Sequence, residues 1–174
     1  KDQWSYGIPR IRPEQQGVWK WYINPPEADL SAYGLAKDED VLELHIDNPF
    51  TAGTNDRPLG LEGIKKELGA IAIQIATKQR QVKAIVGVSW LMDHPIAKRL
   101  GFMIATQVET PQNTSAMWSQ LLTQEGEVSQ ARVDRLMAGQ GLPYRSLTGF
   151  IPVEEFLKRY LPSPFRDTPI PLES

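Results

Sequence analysis

The 174-residue chain contains no cysteine, which removes disulfides, thiolate metal sites and a cysteine nucleophile from consideration. Imidazole is almost as scarce: His45 and His94 are too few for a multi-histidine centre, and no metal is expected. An excess of either charge is also missing. Nineteen basic residues stand against 21 acidic ones, for a net charge of -2. That balance gives no electrostatic reason to expect DNA, RNA or an anionic membrane as partner. The densest basic run, "KQRQVK" at residues 78–83, reads as the solvated end of a helix. No apolar run approaches the roughly 20 residues that cross a bilayer. No charged-then-apolar leader precedes "KDQWSYG", so a cytoplasmic protein is expected.

What is present fits one globular domain: 41% apolar and 23% charged residues over a length that supports a single core. Prolines concentrate at both ends and deny those segments the donors that helices and sheets need. Residues 1–16 therefore read as an extended arm, 17–161 as one mixed domain and 162–174 as a proline-rich tail. Inside the domain, "GVWKWYIN" (17–24) is an aromatic-rich strand stopped by two prolines. "DVLELHID" (40–47) alternates, with Leu42, Leu44 and Ile46 on one face and Glu43, His45 and Asp47 on the other. Leu61, Ile64, Leu68, Ile71 and Ile75 recur at three- and four-residue steps and predict the longest helix, to about residue 79. Gly63 and Gly69 within it point to close packing or to a nearby ligand. "VKAIVGVSW" (82–90) is a continuous apolar run, the mark of a strand covered on both faces. A short helix then runs from His94 to Arg99 and ends on Gly101, with a strand over 102–108. Two helices are expected within 113–141, a strand over 144–152 and a closing helix over 153–161. Strand, long helix, strand predicts a βαβ unit in a mixed sheet, an α/β or α+β fold.

The connection from 47 to 63 has the chemistry of an anion site. The first turn of the following helix offers unsatisfied N–H donors and the positive end of the macrodipole, which suit a pyrophosphate. Arg57 adds a guanidinium that can grip a phosphate with two donors. Gly60 lets the backbone approach without a Cβ. An ordinary strand-to-helix connection would carry similar turn residues and bind nothing.

"RPLGLE" (57–62) resembles the pyrophosphate loop of the GNAT-type N-acetyltransferases: Gln or Arg, two residues, Gly, one residue, then Gly or Ala. The order "DVLELHID", "RPLGLE", long helix, "VKAIVGVSW", "HPIAKR" and "LGF" is also similar to that family over about residues 40–108. The resemblance implies an acyl-CoA N-acyltransferase-like fold, a central mixed β-sheet with a βαβ unit flanked by helices. It also implies acetyl-CoA as co-substrate and an amine acceptor as partner; a homodimer is left open by the sequence. Two neighbouring parallel strands would splay to receive the pantetheine arm. Cofactor contacts would come from Ile46 and Asp47, from Arg57, Pro58, Leu59, Gly60 and Leu61, from Ser89, and from Arg99 and Phe102. The sequence departs from the family at Glu62, where Gly or Ala is usual, and at Ala97, where the short helix often carries a tyrosine.

Acylation of an amine by a thioester needs a base for the ammonium proton and benefits from an acid for the thiolate. Glu43 and His45 share one strand face and are the candidate bases; Tyr144 is the candidate acid. Ser89, Asp93 and His94 invite a hydrolase reading, but Leu91 stands where the nucleophile elbow needs glycine. His94 is better placed to cap the short helix. The second reading, from another class, is a binding or regulatory domain that keeps this fold without turnover.

Overall fold

A computed structural model describes residues 14–16, 19–46, 61–78, 80–112, 115–123 and 127–166. Among the described residues six strands form one sheet: β1 (Glu14–Gln16), β2 (Trp19–Asn24), β3 (Val41–Ile46), β4 (Ala84–Ser89), β5 (Met103–Ile104) and β6 (Leu147–Pro152), in the spatial order β1-β2-β3-β4-β6-β5. The only parallel neighbours among them are β3 and β4, joined through helix α1 (Leu61–Thr77); every other pairing is antiparallel. This is the expected βαβ unit inside a mixed sheet. The remaining helices are α2 (Pro95–Leu100), α3 (Ser115–Trp118), α4 (Gln130–Arg135), α5 (Val153–Tyr160) and α6 (Ser163–Arg166). Glu14–Gln16, within the expected arm, forms the edge strand, and α6 lies at the start of the expected tail.

Period-two alternation sorts the strands between two cores. Leu42, Leu44, Ile85 and Ile151 face α1 and α5, where they pack with Trp21, Leu68, Ile71, Ile75, Phe102 and Phe156. On the opposite face Val41, Ala84, Val86 and Phe150 pack under Leu30, Leu35 and Ala105. β4 feeds both clusters, which explains its unbroken apolar sequence. Each fully buried Leu, Ile or Phe contributes about 1.5–3 kcal/mol. Gly69 answers to packing: a Cβ there would stand 3.3 Å from the Tyr160 carbonyl, so any side chain pushes α1 away from α5.

α2 is built as its ends predict. Pro95 occupies the first turn, His94 Nδ1 accepts from the Ile96 amide at 3.1 Å, and Gly101 closes the helix at φ +95°. The cap is doubly determined, because a Cβ at Gly101 would also meet the Arg159 side chain at 3.2 Å. Phe102 then enters the core, 4% exposed. The abrupt end of α2 at Gly101 is therefore a left-handed cap under Arg159.

Four expected elements are shorter in the structure, among them the strand expected over 144–152, which starts at Leu147 and leaves Tyr144 ahead of it. The strand over 102–108 is only Met103–Ile104, because the chain turns tightly there: Thr106 N–H bonds Ile104 O and Val108 N–H bonds Ala105 O. The two helices expected within 113–141 shrink to α3, which tightens into a 3-10 turn through Leu121, and α4, which widens over Leu136–Gln140. Gly139, at φ +77°, stops the second. α4 buries no residue, and Met137 beyond it is 81% exposed, so no apolar face extends that helix.

Candidate functional site

The ladder between β3 and β4 runs through Leu42–Ile85, Glu43–Val86 and Leu44–Gly87 and stops there. Beyond that point β3 continues on β2, pairing His45 with Lys20 and Ile46 with Trp19, while β4 continues on β6, pairing Val88 with Thr148 and Ser89 with Leu147. The two parallel strands thus diverge at their carboxyl ends, each held by its outer neighbour. In open α/β sheets that is where ligands bind. α1 follows β3 in the chain and brings its N-terminal turn from Leu61.

The floor of the opening is set by an unusual pair. Gly87 faces Gly149 across the β4–β6 ladder, and Met92 lies over both. A Cβ would meet Met92 Cε at 2.8 Å on Gly87 and Met92 Sδ at 2.5 Å on Gly149. Phe102 Cε1 stands 4.0 Å from the Gly87 position, so Phe102 closes the inner end from the core side.

Glu43 and His45 come together on the sheet face away from α1. Glu43 Oε1 pairs with His45 Nε2 at 3.0 Å, and Asn24 Nδ2 donates to Glu43 Oε2 at 3.2 Å. Burial would raise the Glu43 pKa, but the hydrogen bond and charge of His45 and the bond from Asn24 outweigh it and leave the carboxyl below its ordinary 4.5. With Nε2 committed to Glu43, Nδ1 is the nitrogen of His45 left to take a proton. The side chain of His45 is 37% exposed against 14% for Glu43, so the imidazole faces outward over a shielded carboxylate. Tyr22 holds the ring edge-on at 5.3 Å and 85°. Glu27 joins the group from the chain after β2; burial first, and the Glu43 charge second, raise its pKa, partly offset by His45. Asn24 and Glu27 escaped the sequence reading because nothing in their spacing links them to a strand that starts at Val41.

The other sequence candidates separate. Ser89 Oγ accepts from the Leu91 amide at 3.1 Å and caps the turn over Trp90–Met92. Asp93 Oδ2 accepts from the Arg145 amide at 2.8 Å, and His94 caps α2, so Ser89, Asp93 and His94 each hold backbone and form no triad. Arg99 is exposed, and its carbonyl accepts from the Arg159 guanidinium. Ala97 is 1% exposed and belongs to the core. Glu62 turns outward, its carboxylate 85% exposed and 2.9 Å from Lys65 Nζ, so it does not fill the head of α1. Asp47, Arg57, Pro58, Leu59 and Gly60 lie outside the described residues, and Ile46 is described in its backbone alone.

Tyr144 has no contact with Glu43 or His45 among the described residues. It lines a cavity of about 320 Å³ just past Ser89, with Trp90, His94, Ser119, Gln120, Leu122, Arg132, Arg135 and Pro143. Its ring stacks on Trp90 at 6.0 Å and 16°, and meets His94 at 4.9 Å and 65°. The described residues hold no group of three or more His, Asp or Glu that could bind a metal ion. No described helix is long and apolar enough to cross a membrane.

No protein-family model and no curated protein matches the chain. Solved structures do. An acyltransferase mutant in complex with octanoyl-CoA aligns at TM-score 0.51 and 14% identity over 80% of this chain. An acyltransferase in complex with CoA and 10C-teicoplanin, and one in complex with decanoyl-CoA and teicoplanin, each align at TM-score 0.51 and 15% identity over 81%. The chain spans 46% of the length of each of those proteins. Identities this low speak to architecture, and that architecture is one of a mixed sheet with a βαβ unit between flanking helices: this chain has an acyl-CoA acyltransferase-like fold.

Proposed function

We propose that the chain is an acyl-CoA-dependent N-acyltransferase domain that moves an acetyl group from acetyl-CoA to an amine. The observation that carries this reading is the end of the β3–β4 ladder at Leu44–Gly87, past which each strand pairs only with its outer neighbour, in a βαβ unit whose helix α1 starts at Leu61. A pantetheine arm would lie in the wedge between the two strands along the backbone of Ile46 and Asp47, with its pyrophosphate on the amides that lead into Leu61. Arg57, Pro58, Leu59 and Gly60 would complete that contact, and Ser89, Arg99 and Phe102 border the arm. The solved neighbours that hold CoA or fatty acyl-CoA support the cofactor class.

Glu43 and His45 take different parts in the chemistry. The amine nitrogen attacks the thioester carbonyl carbon, a C–N bond forms, the C–S bond breaks, and CoA leaves as thiolate. His45 Nδ1 takes the ammonium proton, directly or through a water. Glu43 holds the imidazole by Nε2 and stabilises the imidazolium that forms. Tyr144 is the candidate donor of a proton to the thiolate.

Calorimetric titration with acetyl-CoA, octanoyl-CoA and CoA tests the reading. Binding is expected, and Arg57→Ala should weaken it about tenfold through loss of a charged bidentate contact. Neither heat nor thermal shift at about millimolar cofactor would end the proposal. Ala97 favours one alternative, because it leaves no hydroxyl where the related short helix often carries one. That alternative is a regulatory domain that binds acyl-CoA without turnover, and it predicts binding with no transfer to any of a panel of amines.

A further inference from the structure

The cavity lined by Tyr144 offers more than the proposed chemistry uses, which draws on the Tyr144 hydroxyl alone. Residues 144–146, just ahead of β6, lie against side-chain amides and a carboxylate in place of a strand. Gln120, 2% exposed, accepts from the Tyr144 amide and donates to the Tyr144 carbonyl, both at 2.9 Å. Gln112 repeats the arrangement on Ser146 at 2.9 and 2.8 Å, and Asp93 accepts from the Arg145 amide at 2.8 Å. Three side chains from separate segments thus fix the backbone that aims one ring. That ring is Tyr144, stacked on Trp90, whose indole N–H is itself anchored on Ser119 Oγ at 2.9 Å. Aromatic surface held this firmly costs a ligand little reorganisation.

The polar part of the lining is one-sided. Arg132 and Arg135 face the cavity together, and among the described residues no Asp or Glu lines it. Arg132 uses one nitrogen, Nη1, to donate to the carbonyls of Gln120 and Leu122 at 2.9 and 2.6 Å. Arg135 donates from Nε to Gln140 at 3.1 Å. Neither guanidinium has an ion-pair partner among the described residues. His94 accepts at Nδ1, so its proton sits on Nε2 and adds a further donor. A flat aromatic wall beside two guanidiniums matches a planar anion attached to a ring.

We propose that this cavity binds a small molecule that joins a carboxylate to an aromatic ring. It would be the acceptor end of the site, an aryl-bearing amino carboxylate whose amine points back toward the wedge; that second part rests on the acyl-transfer reading. The Arg135 fork takes the carboxylate, and the Trp90–Tyr144 wall takes the ring.

The test needs no cofactor. Binding of 3-phenylpropionate, 3-phenylpropionamide and phenyl phosphate is followed by ligand-observed NMR and by calorimetry. The carboxylate is expected to bind about tenfold tighter than its neutral amide, a difference of about 1.4 kcal/mol. Arg135→Gln should erase that difference, Arg135→Lys should restore it in part, and Tyr144→Leu should weaken both probes, with thermal denaturation as the check on folding. The wild-type comparison of acid and amide stands even if a variant fails to fold. Equal affinity for the two, no binding at about 10 mM, or an unaltered preference in a folded Arg135→Gln would overturn the proposal. Tighter binding of phenyl phosphate would overturn the choice of carboxylate. If the carboxylate binds while acetyl-CoA does not, the cavity assignment holds and the acyl-transfer reading falls. If acetyl-CoA binds and the carboxylate does not, the reverse is true.

Discussion

The two faces of the sheet carry different things. One lies under α1 and α5 and is apolar from Trp21 across to Ile151. The other is apolar around Val41, Ala84, Val86 and Phe150 and turns polar along β3 at Glu43 and His45, with Asn24, opposite Val41, reaching across to Glu43. The contrast follows from the alternation of β3, which sends Leu42 and Leu44 one way and Glu43 and His45 the other. A sheet with one face committed to packing can place charged groups on the other without opening the core. The second face carries a smaller core of its own together with the Glu43–His45 pair.

That division can be broken by substitution. On the proposed acyl-transfer chemistry, His45→Asn should lower the rate by about 10²–10⁴ through loss of the proton acceptor, with little change in the urea midpoint. A large loss of stability without loss of rate would merge the two faces again. Phe156→Ala should do the opposite: Phe156 is fully buried, and its truncation costs about 3–5 kcal/mol of unfolding free energy in urea denaturation. Rate per folded molecule should be preserved.

The floor of the wedge tests the comparison at its boundary. Gly149→Ala forces Met92 from its seat and should cost about 1–3 kcal/mol. The same change in a Met92→Ala background should cost much less, and equal costs in the two backgrounds would deny that the contact matters.

Acid gives the smallest effect and separates two groups. Burial, and after it the Arg99 charge, holds His94 below its ordinary 6.5. The unfolded chain then binds more protons than the folded one, so stability is full above 6.5 and declines as pH falls below it. Glu43 acts lower. Its pKa is lowered on balance, so its contribution is present above 4.5 and is lost as pH falls through its folded value. Thermal denaturation between about pH 7 and 5.5 should show the first decline, and His94→Asn, which keeps a capping acceptor, should flatten it. A decline unchanged in that variant would assign it elsewhere.

The cost of leaving apolar surface in water is written locally, and so were the elements it drives. Leu68, Ile71 and Ile75 set α1, the unbroken run from Ala84 set a strand covered on both sides, and Pro95 and Gly101 bounded α2. The same alternation put Glu43 and His45 on one face. Where no apolar face existed, as in α4, periodicity promised more helix than packing could hold. The pairing of Glu43 with Asn24 joins residues 19 apart, and Tyr144 with Gln120 joins residues 24 apart. No local pattern encodes those distances. They exist because β2 lies antiparallel on β3 and because a run without strand partners is pinned by side-chain amides. By itself the sequence determined the strongly patterned elements, β3, α1, β4 and α2, and which way the residues of β3 turned. Only the tertiary structure decided where β3 and β4 part, which charged groups meet, and that Trp90, Tyr144 and two arginines enclose a cavity, since these depend on chain closure over long separations.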